Sequence, residues 1–169
     1  MSSWSPRRNT SQTRVFRAPS SARQCAKGRC CMFADDPRKI EVLRQWVQKA
    51  ENDLVSAAQV LKLGAQCPAD TVCYHAQQCV EKYLKALLIN HELDFPKTHN
   101  IAVLVNLLPL SARPSLPLAD QDRLTEYATT TRYPGDYEPL KVAEAQAAVR
   151  LARRVRSHAR KRLPKAALK

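Results

Sequence analysis

Glycine is scarce in this chain of 169 residues: only Gly28, Gly64 and Gly135 occur. A nucleotide site of the P-loop or dinucleotide-binding kind needs clustered glycines so that backbone can wrap a phosphate, and these three are far apart. No run of about 18 apolar residues occurs, which argues against a membrane-spanning helix. The first residues lack the apolar stretch of about 7–15 residues that a secretory signal requires. No apolar–polar alternation persists long enough to mark a strand, and no repeat of solenoid period is evident. The chain therefore reads as a soluble, cytoplasmic, all-α protein, with no cofactor expected.

Acids are missing from both ends. Residues 1–31 contain seven Arg or Lys and no Asp or Glu, and residues 150–169 contain nine and none. The middle of the chain holds twelve bases and all fifteen acids, so the net charge of +13 belongs to the termini. Such ends favour polyanions through counterion release. The bland alternative is a solvated tail and a charged terminal helix.

Six cysteines do not form a disulfide framework on this pattern. Cys73 and Cys79 fall inside a helical repeat, where Cys behaves as a small core hydrophobe. Cys25-x4-Cys30-Cys31 lacks a second ligand pair at zinc-like spacing, so no metal site is expected there. Reduced thiols are the default in the cytosol.

Residues 1–31 are rich in Ser and Arg, without apolar periodicity, and read as a disordered basic extension. An organelle transit peptide, a nucleic-acid-binding arm, and a stretch upstream of a true start at Met32 all fit; the last is preferred. A helical domain follows over 32–163, with 164–169 as a basic tail.

Asp36-Pro37 is an N-cap followed by Pro at the first helical position. Ile40, Leu43, Val47, Leu54, Ala58 and Leu61 then form an apolar stripe that stops at Gly64. A second helix starts near Asp70 or Thr71 and runs to about His91. Val72, Ala76, Cys79, Tyr83 and Leu87 share one of its faces, and Glu81, Lys82 and Lys85 fall on another. Pro96 keeps Phe95 out of a helix. Thr98 or Asn100 caps a short helix over Ile101–Leu108, and a proline-rich connection occupies 109–119. A fourth helix covers Asp120–Thr131, and the last runs from about Pro139 to Arg162 with Val142, Ala145, Val149, Ala152 and Val155 inward. Together these give an antiparallel four- to five-helix bundle.

Four segments, WVQKAENDL (46–54), YHAQQCVEKYLKALL (74–88), KTHNI (97–101) and ATTTRYPGDY (128–137), resemble the HEPN domain family in composition, order and spacing. That resemblance implies a helical bundle that forms a homodimer. It also implies a partner: family members are often encoded beside a minimal nucleotidyltransferase, as toxin–antitoxin or related pairs. Many relatives are metal-independent ribonucleases with an Arg-x4–6-His motif near the dimer axis, and others are non-catalytic binding modules.

Metal-free RNA cleavage needs a group to move the 2′-hydroxyl proton and a cation for the developing phosphorane charge. Where the family motif is expected, this chain reads Arg132-Tyr-Pro-Gly-Asp-Tyr137, so tyrosine stands in the histidine position. With a reference pKa of about 10, tyrosine is a poor base at neutral pH. Arg132 and Tyr137 are thus only candidate catalytic residues, and the chain leans away from being an enzyme. Arg132, Tyr133, Lys82 and Lys85 are the candidate nucleotide or RNA contacts, by charge and by base stacking. The alternative is that Arg132 pairs with Asp136 while the tyrosines pack the helix junction.

A literal Arg153-x4-His158 also occurs. On one helix, five residues turn by about 500°, which leaves these side chains roughly 140° apart and unable to converge on one phosphate. His75 and Cys79, four apart, have no evident third metal ligand and read as core or interface. His99 is placed to hydrogen-bond across its loop, and His91 to end a helix in solvent. Three functions follow: a homodimeric nucleotide- or RNA-binding partner of a nucleotidyltransferase-domain protein; a ribonuclease toxin with a divergent Arg-x4-Tyr motif; or a basic nucleic-acid-binding module working through 150–169.

Overall fold

Asp36 caps the first helix as its spacing predicts, accepting the Arg38 N–H at 2.9 Å with Pro37 at the first helical position. In the computed structural model, which describes residues 36–129 and 138–169, α1 spans Pro37–Val60. It buries Ile40, Leu43, Val47, Ala50, Leu54 and Ala57. The stripe drifts by one residue near its end, since Ala57 rather than Ala58 faces the core. The chain then tightens into a 3₁₀ turn, Leu61–Gln66, around Gly64 at φ 61° and ψ −125°. No atom crowds the space a side chain would occupy there, so the backbone angle alone calls for glycine.

Helix α2 spans Ala69–Asn90 and forms the centre of the bundle. Its start agrees with the one expected near Asp70 or Thr71: Pro68 occupies the N-cap, and Asp70 lies in the first turn, where a negative charge suits the helix dipole. Val72, Ala76, Cys79, Tyr83 and Leu87 are all fully buried, and so are Cys73, Val80, Leu84 and Leu88. Each large aliphatic side chain enclosed in this way stabilises the fold by about 1.5–3 kcal/mol. The helix ends before Pro96 can act. Glu92 adopts φ 58°, and the Leu93 and Glu92 N–H groups bond the Leu88 and Ile89 carbonyls, closing α2 with a Schellman turn.

Helix α3 (Ile101–Leu107) is capped by Asn100, whose side chain accepts the Val103 N–H at 3.0 Å. Helix α4 covers Leu118–Thr129 and α5 covers Val142–Arg160. Helices α1, α3, α4 and α5 all pack on α2. Lys39 pairs with Glu92 and Asp53 with His75, so α1 runs antiparallel to α2. Glu51 meets Arg156 and Arg44 meets Ala166, so α1 is antiparallel to α5 as well. Among the described residues there is no strand, and no helix is long and apolar enough to cross a membrane.

Residues 164–169, the basic tail of the sequence reading, hold a short turn. Lys165–Leu168 form a 3₁₀ turn that packs on α1, with Ala167 buried and the Ala166 carbonyl accepting from Arg44 at 3.1 Å. The extension read over residues 1–31 lies outside the described residues.

Candidate functional site

Alanine and valine set how α5 presents its charge. Ala145, Ala148, Val149, Ala152, Val155 and Ala159 face the core, and their small size brings the helix close to α2. The arginines between them divide into two groups. Arg156 and Arg160 turn toward α1, where Glu51 accepts Arg156 Nε at 2.8 Å and Arg160 at 3.0 Å. The Tyr83 hydroxyl of α2 donates to the same carboxylate. Burial raises the Glu51 pKa, but the Tyr83 hydrogen bond and the two guanidinium groups outweigh it and hold Glu51 below the usual carboxylate range. This four-residue knot joins α1, α2 and α5.

The second group faces outward. Arg153, Arg154, His158 and Lys161 line a cavity of about 430 Å³, closed on its other side by Pro114, Ser115 and Leu116. Arg154 donates to the Ser115 carbonyl at 2.8 Å, and His158 Nε2 to the Ala112 carbonyl at 2.8 Å. Because a carbonyl only accepts, Nε2 carries the hydrogen and Nδ1 is the remaining ring nitrogen. No acidic residue lines this wall. Among the described residues, Arg156 and Arg160 are the only bases of 150–169 that pair with a carboxylate. The cavity offers several N–H donors and an excess of positive charge, which is the chemistry of a phosphate-binding surface.

Arg153 and His158 border the same cavity although they are five residues apart on one helix. The separation of about 140° holds for an ideal helix surface, but a cavity wide enough to span that face takes in both side chains. His158 contributes to the wall while anchored to the 109–117 connection.

The other sequence candidates separate. Lys85 does not face solvent: it is 8% exposed, and its ammonium donates to Glu81 at 2.7 Å, with Glu81 itself 4% exposed. Both fall on a face covered by α1 and by the 91–100 connection, where Lys85 lies 5.8 Å from the Trp46 and Phe95 ring centroids. Glu81 also accepts from Gln77 at 2.8 Å and meets His99 Nδ1 at 2.9 Å, the cross-loop bond expected of His99. Burial raises the Glu81 pKa, yet Lys85, Gln77 and His99 together bring it below the usual range.

Lys82 is half-buried, donating to Asp53 at 2.5 Å and to Gln78 at 2.9 Å. Asp53 also meets His75 Nδ1 at 2.9 Å, so His75 is oriented by α1 and not by Cys79, which is fully buried. Burial pushes the Cys73 thiol up to about 12 and the Cys79 thiol higher still. His91 is exposed at the end of α2. Among the described residues no three His, Cys, Asp or Glu side chains gather in a way that could hold a metal ion. Arg132, Tyr133 and Tyr137 lie outside the described residues, as do Cys25, Cys30 and Cys31.

The sequence reading missed the Glu51 knot and the cavity wall of α5. A signal for the knot was present: Glu51 is one turn from Val47 and Leu54, on the edge of the apolar stripe, where a carboxylate needs a cation. The positions of Arg156 and Arg160 four residues apart supply two.

The sequence model of the HEPN domain family matches residues 43–162. The chain belongs to the HEPN family. The structure is similar to the crystal structure of TT1696 from Thermus thermophilus, with 27% sequence identity and a TM-score of 0.59. That likeness covers 72% of this chain and 98% of TT1696. No curated protein matches the sequence. The HEPN match spans all five helices apart from the first turn or two of α1.

Proposed function

We propose that this HEPN protein binds a phosphate-bearing ligand, RNA or a nucleotide, without cutting it, and acts as the homodimeric regulatory partner of a nucleotidyltransferase-domain protein. The observation that carries the binding part is the α5 cavity: Arg153, Arg154, His158 and Lys161 line it and no acid does. The partner and the dimer rest on the family resemblance. Arg132 and Tyr133 are expected to add contacts from the segment before α5, with Tyr137 in the histidine position leaving that segment without a base suited to neutral pH.

The test is RNA binding and RNA cleavage by the purified chain, alone and with a nucleotidyltransferase encoded beside it. Salt-dependent binding without cleavage, together with co-purification of the two proteins, is the expected result. Cleavage that disappears in Arg132→Ala would replace this reading with the ribonuclease one.

One observation favours a second reading, that of a metal-free ribonuclease: Arg153 and His158 share a cavity. His158 Nδ1 would move the 2′-hydroxyl proton and Arg153 would meet the charge on phosphorus. Cleavage that survives Arg132→Ala and is lost in His158→Ala would support it.

A further inference from the structure

Exposed aliphatic side chains gather in one stretch of this protein. Among the described residues six large hydrophobics lie open, and four of them fall within 101–118: Val103 and Leu107 at 39%, Leu118 at 64% and Leu110 at 81%. Val103 and Leu107 are four apart on α3 and share one of its faces. Leu110 stands near the start of the 109–117 connection, and Leu118 begins α4. Between them Ala112 and Leu116 are buried, so the connection is packed and its outward leucines belong to the fold.

Cations hold this stretch in place. Arg113 donates to the Asn106 carbonyl at 2.8 Å and to the Leu108 carbonyl at 2.9 Å, which braces the turn that carries Leu110. Arg162, His158 and Arg154 donate in succession to the carbonyls of Ser111, Ala112 and Ser115. Leu110 precedes the first of these anchors and Leu118 follows the last, so the two leucines flank the cationic wall of α5.

The charge on this face has one sign. Residues 101–119 and 145–169 contain no Asp or Glu. Arg153, Arg154, Lys161 and Arg162 are exposed and pair with no carboxylate among the described residues. Neither stretch contains Phe, Tyr or Trp. A nucleic-acid strand would find phosphate contacts here but no aromatic ring to stack on, and it would leave the leucines in water. Open leucines beside unneutralised arginines match a surface that is anionic outside and hydrocarbon just beneath.

We infer that this face docks on an anionic lipid bilayer, with Leu110 and Leu118 entering the boundary between headgroups and acyl chains while Arg153, Arg154, Lys161 and Arg162 meet the lipid phosphates. The attachment is peripheral, since no helix among the described residues is long and apolar enough to cross a membrane. It does not rest on RNA binding, although both would draw on the same cations.

The full chain is sedimented with vesicles of phosphatidylcholine and with vesicles of an equal mixture of phosphatidylcholine and phosphatidylglycerol. Binding to the mixture alone is expected. Leu110→Lys/Leu118→Lys separates insertion from charge, because it removes the apolar anchors while adding cations. Vesicle affinity should fall by at least about tenfold, whereas RNA affinity should hold or rise. Both positions are exposed, so the thermal midpoint should not move. If it does, Leu110→Lys alone carries the same test. Arg153→Glu/Lys161→Glu should abolish sedimentation with the mixture. The inference fails if the mixture does not sediment the wild type, or if the lysine variant binds vesicles as tightly as the wild type does. It fails too if that variant loses RNA and vesicles together, which would make the face a nucleic-acid surface. Absence of RNA binding by the wild type would count against the proposed function and leave the vesicle result standing.

Discussion

Arg156 grips Glu51 through its Nε hydrogen, 2.8 Å from one carboxylate oxygen and 3.0 Å from the other, across 105 residues of chain. The two side chains link the first helix to the last, and Tyr83 and Arg160 complete the group. Glu51→Gln removes the charge that both guanidinium groups face. It should cost about 1–3 kcal/mol and lower the thermal midpoint by several degrees. Arg156→Ala and Glu51→Gln combined should cost less than the sum of the two singles, which a double-mutant cycle on thermal unfolding measures.

Acid should unfold the protein through two identified carboxylates. Glu51 and Glu81 both have folded-state pKa values below the ordinary one. The folded state therefore keeps them ionised where the unfolded chain takes up a proton. Their contribution is complete above the unfolded value of about 4.3 and is lost as pH falls through the folded values. Urea midpoints should be flat from pH 6 to 5 on this account and fall below about pH 4.5. Glu51→Gln should make that fall shallower.

The Glu81–Lys85 pair gives a sharper stability test because both residues are buried. Lys85→Ala leaves the Glu81 carboxylate enclosed without its ammonium and should cost about 3–5 kcal/mol. Lys85→Met with Glu81→Gln should recover much of that loss, since no uncompensated charge then remains inside. Equal destabilisation by the single and double variants would show that packing of the lysine stem matters more than its charge.

Binding of RNA through α5 should depend steeply on salt. Arg153→Ala and Lys161→Ala should each weaken binding at low salt and reduce the slope of log K against log salt by about 1. Arg154→Ala should also loosen the Ser115 end of the 109–117 connection, so its effect on stability is expected to exceed theirs. Filter binding across a salt series, beside thermal melts, distinguishes the two effects.

Cys73 and Cys79 are enclosed and their thiols are held protonated well above neutral pH. Alkylation at pH 8 followed by peptide mapping should leave both unmodified in the folded protein and modify both in urea. Labelling of Cys79 under native conditions would mean that α2 opens locally.

Much of the fold is legible in the sequence because helix signals are local. Asp36-Pro37, Asn100 and the three-and-four spacing of α2 state their roles within a few residues. The errors arose where distant chain decided the outcome. Lys85 reads as a nucleotide or RNA contact on its own helix, but it is buried, with the Trp46 and Phe95 rings arriving from elsewhere in the chain. The end of α2 near His91 is legible too, although a positive φ at Glu92 makes the stop rather than the proline four residues later. The candidate site was less legible. Charge on α5 was visible as composition, but the division of its arginines between Glu51 and the open cavity depends on helix register against α1.

The enclosure of α2 bears on how members of such a family can diverge. Its 74–88 segment, which makes the chain recognisable, is largely interior, so substitutions there are filtered by whether the bundle holds together. The outer surfaces of α1 and α5 are under no such filter, and they can change charge and shape with little consequence for the interior. Two proteins can therefore keep the same recognisable helix while evolving toward different molecular company, and the rate of change along one chain should differ between its centre and its rim.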